Sequence, residues 1–292
     1  MAYWLWGDES APHVIALVHG LSRQGRDFDV LAQALVARAG GKLRVVCPDI
    51  VGRGKSDWLK DPAAYVLPTY AADMLALFGQ LHTHAPIGTL DWLGTSMGGL
   101  IGMAIAGTPN LPLPVPIRRL VLNDVGPAVE WSSIERIKGY AGKVGRFESI
   151  QQAADAMWLI SKDFGPHTPQ QWMALSTPMV KQLPDGAYTL HYDPQISVPI
   201  LPMTRDDAGK GEAALWALYD NIKARVLVTR GAQSDLLSPQ TAQAMTQRGP
   251  RARLVEFSGV GHAPTFVPDA QVEAAISFLL DSGDEKPLSG PA

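Results

Sequence analysis

A serine hydroxyl attacks a carbonyl only when a neighbouring base removes its proton and a third group holds that base in place. Such chemistry therefore needs a serine, a histidine and an acid that a fold can bring together. Gly94-Thr95-Ser96-Met97-Gly98 fits the pattern G-x-S-x-G. Its flanks supply the context that the pattern requires: residues 87–94 read as a strand and 97–107 as a helix rich in small residues. A sharp strand-to-helix turn there presents the hydroxyl of Ser96 at a helix N-terminus, with glycines on both sides keeping side chains out of the turn. The competing reading is a glycine-rich turn whose serine merely caps the helix. The strand and helix on either side favour the nucleophile.

Of the seven histidines, His262 has the best placement for the general base, in Gly259-Val260-Gly261-His262-Ala263-Pro264 between the last strand and the last helix. Two carboxylates compete to orient it. Asp235 follows the strand at 225–229 and lies in the loop before that of His262, which gives the chain order Ser, Asp, His. Asp124 follows the strand at 120–123 and remains the alternative acid. Asp235 is favoured, leaving Asp124 a loop-fixing or pocket role. An oxyanion hole needs backbone N–H donors, which Met97 after the nucleophile and Leu21 in His19-Gly20-Leu21-Ser22 can supply. His19 reads as a structural hydrogen-bonding residue, and Asp49, in Pro48-Asp49-Ile50-Val51-Gly52-Arg53-Gly54, as the residue that holds a turn.

These loops need a scaffold. Apolar runs of strand length at 14–18, 43–47, 87–94 and 120–123 alternate with helical patterns at 27–39, 65–82 and 97–107, the signature of a parallel sheet flanked by helices. From 125 to 221 helical patterns follow one another, at 133–144, 147–160, 169–179 and 212–219, with no convincing strand between them. Alternation returns with 225–229, 239–247, 252–257 and 269–280. The expected organisation is an α/β core domain from 1–124 and 222–282, an inserted helical cap from 125–221, and a disordered tail over 283–292.

Composition narrows the rest. Of 292 residues 46% are hydrophobic and 18% charged, enough for a sizeable core and too few charges for a disordered chain. Twenty-five Lys and Arg against 28 Asp and Glu leave a net charge of −3, with no electrostatic footprint for nucleic acid or a membrane surface. The single cysteine, Cys47, cannot form an intramolecular disulfide, and no Cys/His pairs stand at zinc-ligand spacing. With no basic leader and no membrane-length apolar run, a cytoplasmic location is expected. The partner expected is a small-molecule substrate, with no cofactor and no metal; a homo-oligomer is compatible with the sequence.

Taken together, His19-Gly20, the segment 49–56, the elbow at Ser96, the strand-end Asp235 and Gly261-His262 resemble the α/β-hydrolase family over nearly the whole chain. The resemblance is to the esterase, lactonase and carbon-carbon hydrolase branch with a helical cap. It implies a serine hydrolase that cleaves a carboxylic ester, thioester or lactone through an acyl-enzyme. Dehalogenases and epoxide hydrolases of the fold carry an aspartate where Ser96 stands. A carbon-carbon hydrolase of a vinylogous diketone is the alternative enzyme, although Leu21-Ser22-Arg23-Gln24 and Ala263-Pro264 differ from that branch's usual residues. A non-catalytic ligand-binding protein is the alternative from another class. The cap is expected to set substrate choice, with Trp131, Trp158, Trp172, Met173, Met179, Trp216 and Tyr219 mostly packing within it and some lining an acyl pocket.

Overall fold

Strands buried on both faces carry apolar residues at nearly every position, and that texture builds the centre of the sheet. In β2 (His13–Val18) the residues Val14, Ala16 and Val18 join one core cluster while Ile15 and Leu17 join the other, as a two-residue side-chain period requires. The computed structural model describes residues 1–280, so the tail expected at 283–292 and the last two residues assigned to the core lie outside the described residues.

The chain begins with β1 (Tyr3–Gly7), then β2, α1 (Asp29–Arg38), β3 (Arg44–Pro48), α2 (Leu67–His84), β4 (Thr89–Thr95), α3 (Met97–Gly107) and β5 (Ile117–Asn123). A segment follows with α4 (Trp131–Tyr140), α5 (Ile150–Ser161), α6 (Pro169–Ser176), β6 (Val180–Gln182), β7 (Tyr188–Leu190) and α7 (Arg205–Asn221). The last elements are β8 (Arg225–Gly231), α8 (Pro239–Gln247), β9 (Arg253–Phe257) and α9 (Asp269–Leu280). Seven strands form one sheet in the order β1-β3-β2-β4-β5-β8-β9, parallel throughout except for β1, which runs antiparallel to β3 at the edge. Helices α2, α3 and α8 pack on one face; α1 and α9 cover the other.

Two strand features escaped the sequence reading. The antiparallel edge strand β1, with its partly exposed aromatics, was not among the expected strands. In the inserted segment, β6 and β7 pair as an antiparallel hairpin, correcting the expectation that it holds no strand. Three residues each are too few to show an alternation. The segment is not a detached layer either: α7 lies against α3, so closely that a Cβ on Gly107 would come 2.2 Å from the Leu218 carbonyl oxygen.

For the site, the decisive feature is a register line. Thr95, Asn123 and Thr229 stand side by side at the C-terminal ends of β4, β5 and β8. The next residues of the first two strands are Ser96 and Asp124, so the sheet itself sets them on one edge, where ligands bind in open parallel sheets.

Candidate active site

Ser96 occupies the turn between β4 and α3 with φ 51° and ψ −116°, a left-handed conformation that is costly for a non-glycine residue. Its N–H donates to the Asn123 carbonyl at 3.0 Å, which ties the strained turn to β5. The flanking glycines are required by close approach. A Cβ on Gly94 would fall 2.2 Å from the Gly98 carbonyl carbon, and one on Gly98 would fall 2.0 Å from the Val18 carbonyl oxygen. Strand and helix can meet this tightly only with hydrogen at both positions.

His262 reaches the turn from the loop after β9. Its Nε2 lies 3.0 Å from Ser96 Oγ, and its Nδ1 lies 2.7 Å from Asp124 Oδ2. A carboxylate only accepts, so Nδ1–H donates to Asp124 and the Nε2 lone pair faces the serine hydroxyl. Asp124 is wholly buried with φ 54°. Its Oδ1 accepts from the Gly231 N–H at 2.8 Å and its Oδ2 from the Ser234 hydroxyl at 2.6 Å. The buried carboxylate is thus satisfied on both oxygens, as burial requires.

Asp235, the acid favoured from chain position, does not meet His262. Its carboxylate turns outward to a bidentate pair with Arg136 of α4, Nε to Oδ2 at 2.6 Å and Nη2 to Oδ1 at 2.8 Å, with both side chains more than a third exposed. The physical reason is one residue of turn. In Gly231-Ala232-Gln233-Ser234-Asp235 it is Ser234 that points inward, donating to Asp124 while its oxygen accepts from the N–H groups of Leu236 and Leu237. Asp235 is the next residue and faces the inserted segment.

Two further residues, Asn123 and Arg53, hold this arrangement and were not singled out from sequence. Asn123 donates from Nδ2 to Thr95 Oγ1 and to the Pro264 carbonyl, binding the histidine loop to the strand ends. Its Oδ1 accepts from the Thr229 hydroxyl. Arg53, wholly buried, donates from Nε to the Leu21 carbonyl at 2.8 Å and from Nη1 to the Val51 carbonyl and the Tyr70 hydroxyl. It thereby fixes the loop that carries Leu21. Neither the Leu21 nor the Met97 N–H has a backbone acceptor among the described residues, and both residues border the space in front of Ser96. Asp49 does hold a turn, accepting from the N–H groups of Gly25 and Lys55.

His19 is wholly buried and acts within the scaffold: its Nδ1 donates to the Gly20 carbonyl and its Nε2 accepts from the Ile50 N–H. Burial, the largest cause, pulls its pKa from the ordinary 6.5 down to about 3. The unfolded chain therefore takes up a proton below about 6.5 that the folded chain refuses until about 3, and stability falls as pH drops through that window. Burial lowers His167 and His191 in the same direction. We expect urea midpoints measured from pH 7 to pH 4 to drop, and the drop to be shallower in His19→Gln by about one proton, or ~1.4 kcal/mol per pH unit. Equal slopes in the two proteins would contradict this assignment.

Two cavities meet at Ser96. One, of about 890 Å³, is walled by apolar residues such as Leu75, Leu100, Ile134, Ile137, Leu215 and Leu236. The other, of about 100 Å³, includes His262, Tyr140, Met179 and Tyr192. Of the aromatic and methionine residues expected to divide between packing and pocket, Met179 borders the smaller cavity. Trp158 and Trp172 pack edge-to-face on each other at 5.0 Å, and Trp216 packs on the buried Tyr219. The segment also grips the histidine loop. The Gly261 N–H donates to the Asp163 carbonyl at 2.5 Å, and His167 Nε2 lies 2.9 Å from Thr265 Oγ1. Among the described residues no group of His, Cys, Asp and Glu is arranged to hold a metal ion, and no helix is long and apolar enough to cross a membrane.

The sheet order, the strained serine turn and the serine-histidine-aspartate contact define a class, and the chain belongs to the alpha/beta hydrolase family, whose sequence profile matches residues 15–275. Among its relatives is a 3-hydroxybutyrate-oligomer hydrolase of Cupriavidus necator, 47% identical over 282 residues, covering 96% of this chain and 92% of the relative. A proline iminopeptidase of Lactobacillus delbrueckii subsp. bulgaricus is 26% identical, with 92% and 90% covered. The crystal structure of an alpha/beta hydrolase from Novosphingobium aromaticivorans superimposes with a TM-score of 0.78 at 35% identity, with 95% and 92% covered.

Proposed function

We propose that the protein is a serine-dependent carboxylic ester hydrolase acting on oligoesters of 3-hydroxy acids. The observation that carries the chemistry is the unbroken contact from Asp124 through His262 to Ser96. In this reading His262 takes the proton of Ser96 as its Oγ attacks the ester carbonyl, and the Leu21 and Met97 N–H groups stabilise the oxygen that becomes negative. Asp124 holds the imidazole in its Nδ1–H tautomer and stabilises its cation. His262 returns the proton to the departing alcohol, then activates the water that releases the acyl group. The substrate class rests on the 47% identity to the Cupriavidus necator hydrolase. A reducing, cytoplasmic setting agrees with the buried thiol of Cys47.

Purified protein should hydrolyse both p-nitrophenyl butyrate and linear 3-hydroxybutyrate oligomers. Absence of turnover on either would contradict the reading and favour a ligand-binding role. Residues of the inserted segment wall the larger cavity, and on this account they limit the acyl group. Leu215→Trp should reduce kcat/KM for a p-nitrophenyl dodecanoate about tenfold more than for the butyrate, because added bulk in a filled apolar site costs roughly 1–3 kcal/mol. Trp158→Ala should lower the melting temperature and leave that ratio near its wild-type value. Proportional losses for both esters in Leu215→Trp would remove the cavity from substrate selection.

A further inference from the structure

The two cavities at Ser96 differ in which catalytic groups they contain and in the sign of their charge. The larger is bordered by Leu21, Ser96 and Met97 but not by His262, and its charged residues, Asp207 and Glu212, are both acidic. The smaller is bordered by His262 as well as Ser96 and Leu21, and its other charged residues, Arg23, Arg136 and Lys143, are all basic. In ester cleavage the histidine must hand its proton to the departing oxygen, so the leaving alcohol has to lie on the side that His262 borders. The acyl group then occupies the side that His262 does not border.

We infer that the leaving group is a short hydroxy acid whose free carboxylate is held at the mouth of the smaller cavity by Lys143, so that the enzyme removes one unit at a time from the carboxyl end of an oligoester. This rests on the proposed esterase reading and adds its direction. Arg23 is committed to Asp27 by two 2.7 Å contacts, and Arg136 to Asp235, so each of those charges is largely matched. The Lys143 ammonium has no carboxylate partner among the described residues. A volume of about 100 Å³ suits one short unit. The larger cavity suits the remaining chain, whose ester-linked units carry no charge, and its acids would repel a free carboxylate.

The reaction balances without any further reagent. The Ser96 Oγ–acyl bond forms, the acyl carbon–oxygen bond to the terminal unit breaks, and the proton from His262 completes that unit's hydroxyl. Water then cleaves the acyl-enzyme, giving the shortened oligomer as its carboxylic acid and restoring the serine hydroxyl.

The test compares a 3-hydroxybutyrate tetramer, deuterated in its carboxyl-terminal unit, with the methyl ester of the same tetramer. The expected first product is deuterated monomer plus trimer, with kcat/KM for the free acid about tenfold above that of the methyl ester at low salt. Raising the salt should shrink that preference, because Lys143 is exposed and screened. Lys143→Glu should abolish it through KM, and Lys143→Arg should retain it. Unlabelled monomer as the first product, or an acid-to-methyl-ester ratio unchanged in Lys143→Glu, would overturn the inference. If wild-type protein still turns over p-nitrophenyl butyrate in that event, the esterase reading survives; if it does not, both fall.

Discussion

Asp124→Asn is expected to lower kcat by about 10⁴ on any ester the protein accepts, the size of loss seen when the orienting acid of a serine protease is neutralised. Asn keeps the volume, and its single oxygen can still accept from the Gly231 N–H while the Ser234 hydroxyl rotates to accept from the amide N–H. It removes the negative charge that stabilises the imidazolium, and its amide can turn an N–H toward His262 and select the wrong tautomer. Asp235→Asn should leave kcat within about threefold, since that carboxylate meets Arg136 in solvent and such pairs contribute roughly 0–1 kcal/mol. Steady-state kinetics of both variants, with thermal melts to show that each is folded, check the pair. A crippled Asp235→Asn beside a nearly normal Asp124→Asn would mean that the loop rearranges in solution and that the acid comes from β8.

The second large effect is non-additive. Ser96→Ala and His262→Ala should each reduce kcat by on the order of 10⁴ to 10⁶, and the double variant should be little worse than either, because neither residue has a function in proton transfer without the other. The 3.0 Å separation of Ser96 Oγ and His262 Nε2 is the contact that makes them one unit. Multiplicative losses in the double variant would indicate separate roles. Residual turnover should reflect the two backbone donors and binding, neither of which these substitutions touch.

The turn at Ser96 was legible in the sequence because its pattern is rigid: two glycines forced by carbonyls about 2 Å from any Cβ, between a strand and a helix of recognisable period. The histidine was legible from its place between the last strand and the last helix. The carboxylate that meets His262 was not, since Asp124 and Asp235 both follow strand ends and both satisfy the order Ser, Asp, His. What separates them is the direction of one turn. Ser234 takes the inward position that was given to Asp235, and a serine donating to a carboxylate leaves no trace in spacing. Arg53 and Asn123 were missed for a related reason. Their partners are the carbonyls of Leu21 and Pro264, far away in the chain, and backbone acceptors have no sequence signal. In the fold, strands buried on both faces and the long helices showed clearly. The edge strand β1 and the three-residue strands β6 and β7 did not, being too exposed or too short for a period to appear. Among the aromatic residues of the inserted segment, Trp158 and Trp172 pack edge-to-face on each other, in keeping with the packing role expected for most of that set.

Covalent labelling tests most directly whether Ser96 is the nucleophile activated by His262. A fluorophosphonate should add one equivalent per chain by intact mass, peptide mapping should place it on Ser96, and activity should fall in step with labelling. His262→Ala should label far more slowly at the same reagent concentration. Loss of activity with the label on another residue and Ser96 unmodified, or full activity retained in Ser96→Ala, would contradict the account.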